Sequence, residues 1–221
     1  MGEGAKEGRF DEVFASAKRK RIPVRQVSAA ALEEIAHAKT HGGLVAICTE
    51  RAPDPESVLD PILAGPEPPF LLLLEGVDDA RNFGGVLRTA EALGVHAVLL
   101  KKREWDFDET DVMRASSGAF ERLRIVKVQR EDGLLERLKA RSLALWACIA
   151  NARRSVYDAD FRTPLVLAVG GEKRGLSGAV RSICTGFLRI PGRPGATSLT
   201  MNHAAAILIA EVARQRSRRN A

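Results

Sequence analysis

Three stretches of this chain combine glycine, proline and polar side chains in patterns that could carry chemistry. Residues 75–89 read Glu75-Gly76-Val77-Asp78-Asp79-Ala80-Arg81-Asn82-Phe83-Gly84-Gly85-Val86-Leu87-Arg88-Thr89. If Asn82 opens a helix, Arg88 follows within two turns and both can face one end of a sheet. A cation near the positive end of a helix dipole is unfavourable unless an anion joins it, so the pair could grip a phosphate or polarise a hydroxyl. The plain alternative makes Asn82 an N-cap and Arg88 a surface cation. In residues 168–177, Gly170 and Gly171 end an apolar run and Glu172 follows. Paired glycines let a backbone approach a ligand closely, or they only make the turn. Residues 188–203 hold Pro191, Gly192, Pro194 and Gly195, a rigid loop whose backbone groups need partners outside a sheet ladder. Ser198, Leu199, Thr200 and Asn202 follow, then the small run Ala204-Ala205-Ala206. His203 reads as a local packing or hydrogen-bonding residue.

The elements around these loops alternate. Apolar runs predict strands over 70–77, 96–100, 124–128, 143–149, 165–169 and 187–190. Helical spacing predicts helices over 82–93, 109–115, 133–140, 176–183 and 198–216. Strands that are apolar throughout call for a mostly parallel sheet covered by helices on both faces, in which ligands sit at the carboxyl ends of the strands. GxGxxG is missing after residue 77 and GxxxxGK[ST] is missing altogether, which speaks against a dinucleotide-dependent enzyme and against nucleotide hydrolysis.

Residues 52–69 are dense in proline, which fits neither a helix interior nor a central strand, so they read as a linker. Before them, 1–51 form a small basic piece with helices over 10–20 and 29–38, the latter capped by Ser28, and strands over 22–27 and 44–48. Residues 70–217 make the main domain and 218–221 a basic tail.

The chain has 221 residues with 34 Lys+Arg against 28 Asp+Glu, a net charge of +6. Clusters at 18–21, 101–103 and 214–219 suit a polyanion, or are equally solvated surface and a frayed tail. Aromatic residues are only 5%, which disfavours a base-stacking sheet surface. The apolar runs 70–74 and 204–209 fall short of the roughly 20 residues of a membrane span. Three scattered cysteines and a polar N-terminus point to a reducing, cytoplasmic compartment, and four histidines without metal-ligand spacing point away from a metal centre.

Taken in order, the motifs resemble those of the SpoU/TrmH family of RNA ribose 2′-O-methyltransferases, within the SPOUT superfamily. Asn82, Gly84, Arg88, Thr89 and Ala90 are similar to its Asn-x-Gly…Arg-Thr-Ala pattern, and Ser116-Ser117-Gly118-Ala119 to its Ser-x-Gly-Ala turn. Residues 170–176 are similar to Gly-x-Glu-x-x-Gly, and 190–207 to Ile-Pro…Ser-Leu-Asn…Ala-Ala-Ile. Ile22-Pro23-Val24 and His41-Gly42-Gly43 are similar to parts of a ribosomal-protein-like substrate domain, here truncated at its start. The resemblance implies a C-terminal trefoil knot, a homodimer, S-adenosylmethionine bound through Gly170, Ile190 and Leu199, and an rRNA or tRNA substrate. It assigns the chemistry to Arg88, with Asn82, Glu172 and Ser198 in support. One departure stands out: the family asparagine after Ser-Leu is Thr200, with Asn202 two residues on. That departure opens a second possibility, a catalytically weakened RNA-binding relative.

Overall fold

The computed structural model describes residues 10–36, 41–101, 108–128, 131–193, 195 and 198–217, which fall in two compact units divided after Glu50. In the first unit, α1 (Asp11–Arg19) and α2 (Ala29–Ala36) are the regular elements. Phe10 and Phe14 meet edge to face at 6.2 Å between ring centroids. Ser28 accepts from the Ala31 amide at 3.3 Å and so caps α2. Residues 22–27 and 44–48 form no strand, against expectation. An isolated extended run needs a neighbouring strand for its amides, and this short unit supplies none among the described residues.

The second unit is built on seven strands, β1 (Phe70–Glu75), β2 (Ala97–Lys101), β3 (Arg124–Val128), β4 (Ala144–Cys148), β5 (Arg154–Ser155), β6 (Leu165–Gly170) and β7 (Gly186–Arg189). They form one sheet in the order β3-β2-β1-β6-β4-β7-β5, with every pairing parallel. The helices are α3 (Leu59–Ala64), α4 (Ala80–Ala92), α5 (Glu109–Ser116), α6 (Ala119–Arg122), α7 (Glu131–Ala140), α8 (Gly178–Ile183) and α9 (Met201–Ser217).

Two apolar layers follow from the strand period of two. Leu72, Leu74, Leu167 and Val169 face one side with Phe83, Val86 and Leu87 of α4 and Leu208, Ile209 and Val212 of α9. Leu71, Leu73, Val166 and Ala168 face the other with Leu59 of α3, Leu138 of α7 and Val180 of α8. Each strand of the centre is therefore buried on both sides, which is why it reads as a continuous apolar run.

The proline-dense stretch is more than a connection. Pro61 stands third in α3, in the first turn, where its missing N–H leaves no gap in the helix. Leu59 is buried, and the Asp54 amide donates to the Ile125 carbonyl at 2.8 Å while the Ile125 amide donates to the Asp54 carboxylate at 2.8 Å.

The last helix clasps the entry to β1. Arg216 in the last turn of α9 donates to the carbonyls of Pro68 at 2.6 Å, Pro69 at 3.3 Å, Phe161 at 3.0 Å and Thr163 at 2.9 Å, and its guanidinium lies 5.3 Å from the ring centroid of Phe70. Arg214 is held bidentate by Glu211. These two arginines are engaged within the fold, which takes them out of the basic cluster that could meet a polyanion; residues 218–221 lie outside the described residues.

Candidate active site

The strand order reverses between β1 and β6, where a parallel sheet leaves a crevice at its carboxyl edge. Glu75 and Gly170 lie side by side there. Gly76 turns the chain with φ +80, and the Gly171 amide donates to the Glu75 carbonyl at 2.6 Å. A Cβ on Gly171 would fall 1.9 Å from the Gly76 oxygen, and one on Gly170 would fall 2.4 Å from the Gly175 carbonyl carbon. The two glycines therefore do more than make a turn: they let the loops after β1 and β6 interlock, backbone against backbone. The Gly175 amide closes the second loop on the Gly171 carbonyl at 2.9 Å.

Beneath this junction sits a carboxylate that the sequence did not single out. Glu75 is buried, takes the Ser177 amide at 2.8 Å and pairs with Lys101. Burial pushes its pKa up, but the hydrogen bonds from Lys101 and Ser177 together outweigh burial and hold the carboxyl below its usual value. Lys101 is thereby removed from the expected basic cluster, whose other members, 102 and 103, lie outside the described residues. The available signal was a single acid ending an otherwise apolar run before a glycine.

Above the junction, α4 starts two residues earlier than expected. Asp79 caps it, accepting from the Asn82 amide at 2.6 Å. Asn82 is thus freed from capping, and its side-chain amide donates to Glu172 at 3.2 Å, across the strand reversal. Arg88 occupies the ninth position of α4, beyond the reach of the helix N-terminal charge, so the dipole argument made for it from sequence does not apply. It is exposed and has no hydrogen-bond or ion-pair partner among the described residues. Asn82, Gly85 and Arg88 mark one i, i+3, i+6 row about 9 Å long. One turn before Arg88, a Cβ on Gly84 would fall 2.5 Å from the Ala115 Cβ, so that glycine lets α4 lie directly on α5. Ser116 joins α5 to α6, with its hydroxyl accepting from the Phe120 amide at 3.2 Å.

The third loop delivers the start of α9 to the same place. Glu172 also accepts from the Met201 amide at 3.4 Å, so one carboxylate touches both α4 and α9. Asn202 lies against Gly85: a Cβ there would be 3.7 Å from Asn202 Nδ2. The Thr200 hydroxyl donates to Asn202 Oδ1 at 2.5 Å and lies 2.7 Å from His203 Nδ1. Asn82, Glu172 and the residues from Thr200 to His203 are therefore brought together at one end of the sheet, with Arg88 about 9 Å further along α4 than Asn82. Ile190 packs on the core beside Cys148, whose thiol is pushed up to about 11 by burial, offset in part by a hydrogen bond from the Ile190 backbone. Leu199 keeps 48% of its surface exposed. Ser198 is exposed and meets no polar partner among the described residues.

A cleft of about 350 Å³ opens nearby at the ends of β4, β5 and β7, lined by Ile149, Asn151, Arg153, Arg154, Arg181 and Phe187 among others. Arg154 stacks over Trp146 at 5.1 Å and Arg181 over Phe187 at 5.7 Å. No acidic side chain lines it.

Fold and site together define an α/β protein whose ligand loops meet at the reversal of a parallel sheet. Residues 69–210 match the SpoU rRNA methylase family, and residues 1–53 match an RNA 2′-O ribose methyltransferase substrate-binding domain. A 23S rRNA (guanosine-2′-O-)-methyltransferase RlmB of Xylella fastidiosa is 32% identical over 97% of this chain and 86% of its own. The crystal structure of the SpoU methyltransferase AviRb from Streptomyces viridochromogenes with the cofactor AdoMet superposes with a TM-score of 0.68 at 28% identity, over 76% of this chain and 67% of that one. An AdoMet-bound rRNA methyltransferase of Sinorhizobium meliloti, 22% identical, has the same fold with a TM-score of 0.75 over 92% of this chain and 77% of its own. The chain belongs to the SpoU rRNA methylase family. Its reaction is methyl transfer from S-adenosylmethionine to a ribose 2′-hydroxyl of RNA. No described helix is long and apolar enough to cross a membrane.

Proposed function

We propose that this chain methylates the ribose of a guanosine in 23S rRNA, at an active site on the β1–β6 junction. The observation that carries the placement is Glu172, whose single carboxylate ties Asn82 on α4 to the start of α9. The names of relatives 32% identical across nearly the whole chain support the rRNA target.

S-adenosylmethionine, when bound, supplies a methyl carbon made electrophilic by a cationic sulfur. The residues present fit it: Ile190 and the half-exposed Leu199 offer apolar surface, and the loops of Gly170 and Gly171 offer backbone groups beside the Glu172 carboxylate. In the displacement, the 2′-oxygen bonds to the methyl carbon as the carbon–sulfur bond breaks and the hydroxyl proton leaves to solvent. Arg88 stabilises negative charge building on that oxygen and clamps an adjacent phosphate. A guanidinium keeps its protons, so Arg88 is a stabiliser and not the base. Asn82, fixed by Glu172, orients the ribose, and Ser198 closes the site from the third loop.

The passage of the chain from β7, beyond β4 in the sheet, to α9 on the α4 face is read as part of a trefoil knot. A second copy of the chain completes the RNA site as a homodimer, in the cytoplasm. The first unit grips the RNA, aided by the arginine cleft, whose guanidiniums suit backbone phosphates.

Tritiated-methyl transfer to unmodified 23S rRNA tests this reading, with ribose-methylation mapping in cells with and without the gene. Arg88→Ala lowers the rate by about 100-fold or more with cofactor affinity unchanged. An undiminished rate places the chemistry elsewhere.

A further inference from the structure

The side chain of Asn202 is held in a specific orientation by groups that leave one end of it open. Its carbonyl oxygen is occupied twice, by the Thr200 hydroxyl at 2.5 Å and by the His203 amide at 2.8 Å. Its NH₂ group has no acceptor among the described residues, and it lies over Gly85. Gly85 is the middle of the row whose ends are Asn82 and Arg88. Because Gly85 has no side chain, the Asn202 amide rests on the α4 surface between those two residues. The Asn202 donors thus lie against α4 one turn before Arg88, and neither the Asn202 amide nor the Arg88 guanidinium has an acceptor among the described residues.

We infer that Asn202, oriented by Thr200, is an RNA-contacting residue that donates a hydrogen bond to an oxygen of the target nucleotide beside Arg88. This rests on the active-site reading above. It gives the Thr200 departure a physical sense. The hydroxyl of Thr200 does not reach the α4 row itself; it fixes the acceptor end of Asn202 so that the donor end points there. The amide has moved two positions along the chain, but α9 begins at Met201, so residues 200 and 202 straddle a helix start and are not two positions of one regular helix.

Asn202→Asp separates this role from a structural one. The carboxylate keeps both acceptor contacts, and a negative charge in the first turn of α9 suits the helix dipole, so thermal stability holds or rises. The substitution removes the two donors and sets a negative charge against RNA. Expected are unchanged S-adenosylmethionine affinity by calorimetry and a fall in kcat/KM for 23S rRNA of 30-fold or more, at the order of magnitude of a lost hydrogen bond plus charge repulsion. Asn202→Ala falls by about tenfold. Thr200→Val falls by less than Asn202→Ala, and adds nothing in the Asn202→Ala background, because Thr200 acts through Asn202.

Arg88→Ala is run in parallel. If it is inactive while Asn202→Asp keeps wild-type kcat/KM, the inference about Asn202 is overturned and the active site stands. If Arg88→Ala and Asn202→Asp are both fully active, the site reading itself is overturned. Loss of cofactor affinity in Asn202→Asp also overturns the inference, because it moves the residue into the cofactor pocket.

Discussion

Gly171→Ala is the sharpest probe of the loop junction. The added Cβ would sit 1.9 Å from the Gly76 oxygen, with the Gly76 carbonyl carbon at 2.6 Å. An ordinary carbon–oxygen contact is about 3.3 Å, so one backbone has to retreat by more than 1 Å, and neither is a flexible side-chain end. That movement breaks the Gly171–Glu75 hydrogen bond and strains the Gly175–Gly171 contact. Two such bonds at about 1 kcal/mol each, with about 1–3 kcal/mol of overpacking strain, give a loss of about 3–5 kcal/mol. For a unit of this size the melting temperature falls by about 6–20 °C. Gly178→Ala is the control, since nothing lies within 4 Å of a Cβ there and α8 begins at that residue; it is neutral or slightly stabilising. Differential scanning calorimetry gives the stabilities, and titration calorimetry at a temperature where both variants are folded gives cofactor binding, which Gly171→Ala abolishes. A Gly171→Ala protein that melts within 2 °C of wild type and binds the cofactor normally would refute the interlocked-loop argument.

Further outcomes concern charge and thiols. Because the Glu75 carboxyl titrates below the ordinary range when folded, its stabilisation is complete above the unfolded glutamate pKa and is lost as pH falls through the folded one. Melting temperature followed from pH 6 to pH 3 therefore drops more steeply for wild type than for Glu75→Gln, and parallel slopes would contradict the assignment. Arg216→Ala loses about 3 kcal/mol, seen in chemical denaturation, because a cation that meets four backbone carbonyls and a ring is removed from the clasp. Arg181→Ala has the opposite profile: stability holds while RNA affinity and its salt dependence both decline in a filter-binding assay. Ellman's reagent at pH 8 titrates one thiol quickly, the exposed Cys48. Cys148 and Cys184, both pushed up to about 11 by burial, react only after denaturation.

The central strands were legible because burial on both faces leaves little choice but unbroken apolar residues, as in Phe70–Glu75 and Leu165–Gly170. Their ends were less so. The run expected to reach residue 77 stops at Glu75 because Gly76 takes a positive φ. Proline density hid α3, since Pro61 is harmless only in a first turn, and position within a turn is not written in composition. β5, two residues long, carries no period to detect. Of the three loops, each was visible as irregular, but nothing in their spacing showed Glu172 meeting both Asn82 and Met201. Arg214 and Arg216 could not be placed from sequence because a basic run looks the same whether its guanidiniums meet phosphate, carboxylate or carbonyl.

The Arg216 clasp has a consequence for how the chain is completed. Asn202 and the Met201 amide sit at the front of the helix that Arg216 anchors from behind to the threshold of β1. A growing polypeptide still attached to the ribosome short of that arginine holds α4 and Glu172 but has no fastened helix to complete them. Removing that last turn would leave α9 without its hydrogen bonds to the residues that enter β1.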